Sequence, residues 1–347
     1  MHEVRIGGGG EAFACAADDT LLRAGLRAGL GLPYECNSGS CGTCKVQLLE
    51  GRIESLRPDA PGLDASDREK GRILACQAQP RSDCTIKVRL RPENVPPRRP
   101  ARFRARLEGV RSFTHDMREF TFTAPEAPGF LPGQYALFYL PGLTVPRTYS
   151  MSNVDDGTAR WQFIVRRVPG GTGTGTLFDR VAPGSEVALD GPYGLAYLRP
   201  ESPRDIVCIG GGSGLAPMLS IARGAVREPR LAGRRIHVFY GARTERDLCG
   251  EAELRALPGY GERLFFHTVL SEAGDSSGWK GPRGFVHEIA RAFVEGESTA
   301  QAGPGPHARW AAFEYYFAGP PPMAEAVQRM LIERRVPYPQ VHFDSFY

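Results

Sequence analysis

Three cysteines lie within nine residues of the stretch "YECNSGSCGTCK" (residues 34–45), and no ordinary core needs thiols so crowded. Their spacing is Cys36-x4-Cys41-x2-Cys44, and a fourth, Cys76, follows in "ILACQAQ". C-x4-C-x2-C…C is a ligand spacing for a [2Fe–2S] cluster. Two irons bridged by sulfide take four outer thiolates, two on each iron. One loop supplies three of them only if it wraps the cluster tightly. Gly39 and Gly42 tolerate positive φ, and Ser38, Ser40 and Thr43 are small enough to let backbone N–H groups reach the sulfurs. The fourth thiolate has to come from another segment, and "RILACQ" reads as a buried apolar strand that delivers Cys76. Structural zinc favours two C-x2-C pairs or Cys/His pairs, and only Cys41/Cys44 makes one. A thioredoxin-like C-x-x-C would open a helix after a strand and leave Cys36 without a task. Cys15, Cys84, Cys208 and Cys249 have no partner spacing. Cys15 and Cys208 sit in apolar strands, where free cysteine is a small core residue.

A chain of 347 residues implies two or three domains. No apolar run is long enough to span a bilayer, and the N-terminus lacks the charged-then-apolar order of a signal peptide. The expectation is a cytoplasmic protein with reduced thiols and no membrane partner. The net charge is only +4, its arginines are interleaved with acids, and no nucleic-acid motif is present, so nucleic acid is not an expected partner. The seven histidines are scattered without metal-ligand spacing.

Residues 1–92 open with the strands "EVRI" and "AFACA" around a four-glycine turn. A helix over "DDTLLRAGLRAGLG" follows, with Asp19 as N-cap and Gly29 or Gly31 as its end. Then come the cysteine loop and further strands, an order that suits a small α+β domain. Residues 93–101, rich in proline, read as a linker. Residues 102–201 alternate short strands with Pro/Gly turns, the pattern of an antiparallel barrel. Residues 202–347 alternate strands and helices, which implies a parallel α/β sheet.

Two of these regions carry ligand signals. "IGGGSGLAPML" (209–219) is a glycine-rich turn between a strand and a helix, with Gly212-x-Gly214-x-x-Pro217 in place of G-x-G-x-x-G. Glycines let the backbone approach a phosphate, and a helix N-terminus favours its charge, so the turn suits a dinucleotide. "PRTYSMSN" (146–153) puts an arginine, an aromatic and hydroxyls together, as a diphosphate-bearing aromatic ligand requires. "VPGGTGTGTLFD" (168–179) offers glycines and threonines. A polar strand edge and a flexible hairpin are the plainer readings of these two.

Taken together, the motifs resemble the NADH-dependent iron–sulfur flavoprotein reductases of bacterial multicomponent aromatic oxygenases, of the toluene monooxygenase or carbazole dioxygenase type. "PYECNSGSCGTCK", "PDAPGL", "RTYSMSN", "LDGPYG", "YFAGPPPM" and "VHFDSFY" carry the resemblance in order along essentially the whole chain. It implies an N-terminal β-grasp ferredoxin of plant type, an antiparallel β-barrel flavin domain and a C-terminal Rossmann-like nucleotide domain. It implies a [2Fe–2S] cluster, FAD and NADH as cofactors. Cys36 and Cys41 would hold one iron, and Cys44 and Cys76 the other. Arg147, beside Thr148, would pair with the FAD diphosphate, Tyr149 would lie against the flavin ring and Ser150 would hydrogen-bond near its N5. Gly171 and Thr174 would meet flavin phosphates, and Gly212, Ser213 and Gly214 the NADH diphosphate. Gly319 and Pro320 would sit where the nicotinamide approaches, and Phe346 or Tyr347 would cover the flavin face. Much of the wider family has cysteine where this chain has Ala318, which bears on the hydride rate rather than the fold.

The implied electron order is NADH, FAD, cluster, then a terminal oxygenase or an intermediary ferredoxin, with the chain working as a monomer. In "YGARTERDL" (240–248), Glu245 or Asp247 suits a free ribose hydroxyl, while Arg243 or Arg246 equally suits a 2′-phosphate. Three alternatives compete: a reductase of another pathway such as deoxysugar biosynthesis, a non-catalytic electron carrier, and a zinc-binding module.

Overall fold

The computed structural model describes residues 1–274, 278–296 and 306–345. Its first sheet has five strands in the order Ala12–Cys15, His2–Ile6, Cys84–Lys87, Lys45–Glu50, Arg72–Leu74. Only the His2–Ile6/Cys84–Lys87 pair is parallel. The helix Leu21–Arg27 packs its leucines beneath this sheet. Thr20, not Asp19, is its N-cap: the Thr20 hydroxyl accepts from the Arg23 amide at 3.4 Å. Asp19 instead accepts from the Thr20 amide and pairs with Arg27. Gly29 follows the helix at φ 85°, a backbone state that terminates helices cheaply only with glycine.

The second sheet has six antiparallel strands in the order Arg147–Ser150, Tyr135–Tyr139, Glu186–Tyr193, Ala101–Ser112, Met117–Thr123, Arg160–Arg166. A Met151–Phe163 bridge joins its two edges, so the sheet nearly closes into a barrel around Phe120, Phe122, Phe138 and Phe163. The segment over "GGTGTGTLFD" is not a hairpin but the helix Thr172–Arg180. Glycine and threonine are weak helix formers. What holds the helix is tertiary packing, with Leu177 buried in the barrel core.

The third sheet is wholly parallel: Leu264–Leu270, Ile236–Ala242, Asp205–Gly211, Phe313–Gly319, Val341–Ser345. The chain winds outward in one direction from the Asp205–Gly211 strand and then returns to its other side. That reversal leaves a crevice at the carboxyl ends of the central strands, where open α/β sheets bind ligands. The first hydrophobic core continues past the first sheet to Tyr135, Leu137 and Tyr193 of the barrel, so the two units share buried surface.

Candidate functional site

The cysteine loop forms a closed cradle. Cys36, Cys44 and Cys76 are buried and Cys41 is partly exposed. Cys76 does not lie in the strand as the sequence suggests; the strand Arg72–Leu74 ends first, and Cys76 sits in the turn beyond it. The thiols influence one another in two pairs, Cys36 with Cys41 and Cys44 with Cys76. The Ser38 and Cys41 amides point at Cys36 Sγ (3.5 and 3.4 Å), the Thr43 amide at Cys41 Sγ (3.5 Å) and the Gln77 side-chain amide at Cys76 Sγ (3.3 Å). The Cys41 thiol and these amides hold the Cys36 thiol well below its ordinary range, against the opposing effect of burial. Gly39 and Gly42 take φ of 88° and 77°. A Cβ on Gly42 would stand 2.8 Å from the Gly62 carbonyl oxygen, so only glycine lets the 57–63 loop close over the cradle. Four thiol donors in two pairs, with amides directed at their sulfurs, fit a [2Fe–2S] cluster.

Beside it lies a cavity of about 640 Å3 lined by Arg147, Thr148, Tyr149 and Ser150, by Gly171, Thr172, Gly173 and Thr174, by Ser38 and Arg57 of the first unit, and by Ser213 of the third. Gly171 caps the Thr172–Arg180 helix without a side-chain bond, leaving the helix N-terminus open to an anion. A Cβ on Gly173 would stand 2.8 Å from Arg147 Cγ, so this helix and Arg147 are fitted to each other. Arg147 Nη1 donates to the Val145 carbonyl at 2.7 Å, which orients the guanidinium at the cavity. The Thr174 hydroxyl is engaged within the turn, accepting from the Val168 amide at 3.1 Å. Tyr149 meets Phe138 edge-on at 4.9 Å, and burial pushes its phenol up to about 12, so it stays neutral. A helix N-terminus, a fixed arginine and an aromatic wall suit a flavin dinucleotide.

Sequence reasoning missed the partner of Ser150. Its hydroxyl lies 3.4 Å from Asp344 Oδ2, across 194 residues of chain. Burial first, then the Glu35 carboxylate, push the Asp344 carboxyl up to about 7, with Ser150 acting the other way. Phe346 and Tyr347, expected to cover the flavin, lie outside the described residues.

The carboxyl group makes a stability prediction. The folded chain holds the Asp344 proton up to about pH 7, whereas an unfolded aspartate releases it near about pH 4. Stability from this group is therefore full below the lower value and lost as pH rises through the upper one. Asp344→Asn cannot ionise, so its melting temperature should gain on the unsubstituted protein as pH rises across that window. Parallel melting curves at every pH would contradict the assignment.

The third cavity, about 700 Å3, opens at the carboxyl ends of the parallel strands and is lined by Gly211, Gly212, Arg243, Glu272, Pro320 and Met323, among others. Gly212 lies there at φ 56°. Ser213 faces the neighbouring 640 Å3 cavity instead. Gly214 lines neither; a Cβ on it would stand 1.9 Å from the Ala318 carbonyl oxygen, so it is the glycine that lets two strand ends meet. Gly319, at φ 159°, ends the adjoining strand ahead of Pro320. Asp247 is not free for a ribose. Its carboxylate accepts from the Thr244 amide (3.0 Å) and hydroxyl (2.7 Å) and pairs with Arg166. His115 and Asp116 approach Asp247 closely enough to suggest a cation site, but the Arg166 guanidinium already pairs with both carboxylates. Asp247 still lines the cavity beside Asp116, and a third acid there is Glu272, just past the Leu264–Leu270 strand.

Comparison with known proteins agrees with this geometry. Residues 4–81 match the 2Fe-2S iron-sulfur cluster binding domain family, 104–197 the oxidoreductase FAD-binding domain and 208–329 the oxidoreductase NAD-binding domain. Ferredoxin–NAD(P)+ reductase CarAd of Metapseudomonas resinovorans is 38% identical, with 100% of each chain covered. The chain belongs to the ferredoxin–NAD(P)+ reductase family. A second relative of this reductase is the ferredoxin–NAD+ reductase component of the alkene monooxygenase system of Xanthobacter autotrophicus, 39% identical over 97% of this chain and 98% of the other. Among solved structures, a ferredoxin reductase in carbazole 1,9a-dioxygenase superposes with a TM-score of 0.88 at 36% identity, covering 100% of this chain and 98% of that one. The reductase thus carries cluster-binding, FAD-binding and NAD-binding domains, and the zinc-module alternative falls. No helix among the described residues is long and apolar enough to cross a membrane.

Proposed function

We propose that this reductase takes hydride from NADH and delivers electrons one at a time to a terminal aromatic-ring oxygenase or to the small ferredoxin that serves it. One observation carries the reading: the flavin-sized cavity is walled by all three units, with Ser38 and Arg57 from the first, residues 145–150 and 171–174 from the second, and Ser213 from the third. Held there by these residues, FAD would supply the chemistry that converts a two-electron donor into single electrons, and the four cysteines would hold a cluster able to carry one at a time.

The protein's part is placement. Cys36 with Cys41, and Cys44 with Cys76, are the two iron-holding pairs. Arg147, Gly171 and the helix N-terminus beside it bind the FAD diphosphate, while Thr148, Tyr149 and Ser150 line the ring. Ser150 and Asp344 hold a proton at the edge of that ring. Gly212, Arg243, Gly319 and Pro320 frame the dinucleotide, and Gly214 keeps that frame together. The Tyr135 hydroxyl donates to the Glu35 carbonyl at 2.5 Å. That bond ties the strand paired with Arg147–Ser150 to the residue preceding Cys36 and so couples the two sites.

NADH is the preferred donor in this reading because Glu272 sets a carboxylate at the cavity where a 2′-phosphate would add charge. Arg243 and Arg246 line the adjoining space with three further arginines, Arg118, Arg166 and Arg167, and with the acids Asp116, Asp247 and Glu272. The oxygenase assignment follows the relatives, which serve carbazole dioxygenase, alkene monooxygenase and xylene/toluene monooxygenase systems. All three cavities form within one chain, so a monomer suffices.

The test is an anaerobic absorbance spectrum before and after each nicotinamide. Overlapping flavin and iron–sulfur bands should bleach promptly with NADH and slowly with NADPH. Reconstituted protein with neither band would overturn the reading, and prompt bleaching by NADPH alone would reverse the donor.

A further inference from the structure

Arg23 is the largest cation in the molecule removed almost wholly from water, with 1% of its surface exposed. Its side chain runs from the Leu21–Arg27 helix under the cysteine loop. Nε donates to Asn37 Oδ1 (3.3 Å), and Nη2 to the carbonyls of Asn37 (3.4 Å) and Cys76 (3.5 Å). Nη1 reaches the Tyr139 hydroxyl of the barrel at 3.3 Å. The guanidinium thus touches both ligand segments at once, at the residue after Cys36 and at Cys76 itself.

No carboxylate among the described residues pairs with it. The acids nearby are shared: Asp18, Asp19 and Asp190 stand among Arg23, Arg27 and Arg102, and Asp190 reaches Arg23 only through the Tyr139 hydroxyl, which donates to it at 3.4 Å. Asp19 and Asp190 both bind Arg27, Asp190 also accepts from the Tyr193 hydroxyl at 2.8 Å, and Arg102 binds Asp18 and Asp19. A guanidinium does not shed its proton in a protein, so Arg23 stays charged. No carboxylate touches the guanidinium directly, and the cradle whose backbone it does touch is built for an anion. Two ferric ions, two sulfides and four thiolates sum to a charge of about −2, and one added electron makes it about −3.

We infer that Arg23 is the counter-cation of the [2Fe–2S] cluster and raises its reduction potential, so that electrons favour leaving the flavin site for the cluster. The inference rests on the proposed cluster ligation. A fixed positive charge favours the reduced, more negative form. In a dry site its effect is large, because little solvent screens it. The tie to Tyr139 also means that the cation is desolvated by the barrel, so docking of the first unit sets the strength of the effect.

The experiment is a potentiometric titration of the holoprotein followed by the electron paramagnetic resonance signal of the reduced cluster. Arg23→Met keeps much of the bulk and removes the charge. It should lower the equilibrium constant for cluster reduction at least about tenfold, or about 59 mV for one electron. Arg23→Lys should restore most of the shift, which a merely structural role would not predict. The flavin potential should move much less. Asn37→Asp, nearly isosteric, sets a carboxylate against the guanidinium and should lower the potential too, even if Arg23→Met fails to assemble. A native-like cluster signal with an unmoved potential in either variant overturns the inference. Absence of any cluster signal in the unsubstituted holoprotein would instead overturn the ligation on which it rests.

Discussion

Replacing Cys76 with serine should separate this reductase's two halves of work. The variant is expected to lose the iron–sulfur absorbance, because Cys76 is the ligand that comes from outside the loop and pairs with Cys44. Outer-shell partners of metal ligands cost about 10–100-fold when removed, and a ligand itself should cost more. Delivery of electrons to a ferredoxin or oxygenase acceptor should therefore fall by more than about 100-fold. Reduction of ferricyanide, which can draw on the flavin directly, should stay near its normal rate, since the cavity residues Arg147–Ser150 lie on barrel strands that Cys76 does not touch. Parallel assays with NADH and the two acceptors would measure this. Equal loss in both would mean that the cluster cradle supports the flavin site structurally. Full retention in both would mean that the electron path bypasses Cys76.

The cradle was legible in the sequence because its chemistry is local. Three ligands and the glycines that shape their loop lie within nine residues, and identity and spacing alone announce them. The nucleotide turn was half legible. Its place between strand and helix was readable from the glycine run, yet the glycines divide their tasks in a way composition hides. Gly212 lines the cavity, Ser213 turns to the flavin side, and Gly214 is spent on a contact with Ala318, a residue about a hundred positions away. Asp247 looked like a ribose ligand, but a threonine three residues before it claims the carboxylate for a local cap. Such short-range competition is a standing habit of Asp, and it favours the nearer partner. Asp344 and Arg23 were out of reach for a different reason. Each acquires its role from residues distant in sequence: Asp344 from Ser150 of the barrel, and Arg23 from Tyr139 of the barrel and from the turn at Cys76 in its own unit. On the helix alone, Leu22 and Leu26 mark the core face and Arg23 reads as an outward residue. Asn37, the turn at Cys76 and Tyr139 of the barrel together enclose it.

The largest single-residue effect on the hydride half should come from Gly214→Val. Gly214 has an ordinary φ of −61°, so its need for glycine is not conformational. It is a need for room. The missing Cβ would stand 1.9 Å from the Ala318 carbonyl oxygen and 2.8 Å from the Gly319 amide nitrogen. Both neighbours are backbone, and neither can rotate away. The Asp205–Gly211 and Phe313–Gly319 strands are paired in register, Gly210 opposite Ala318, so relief requires their loops to part at the mouth of the dinucleotide cavity. Overpacking of this kind costs about 1–3 kcal/mol of stability. Its functional cost is greater, because a displacement of about 1 Å between reacting groups can cost about 100-fold in rate. The expected result is a fall of that order in kcat/KM for NADH with ferricyanide as acceptor, with flavin and cluster absorbance per chain unchanged. Dithionite, which needs no dinucleotide cavity, should still reduce both cofactors fully. Near-normal NADH turnover in Gly214→Val would show that the two loops yield without moving the nicotinamide. Gly214 would then be a residue of packing alone, outside the frame that brings donor and flavin together.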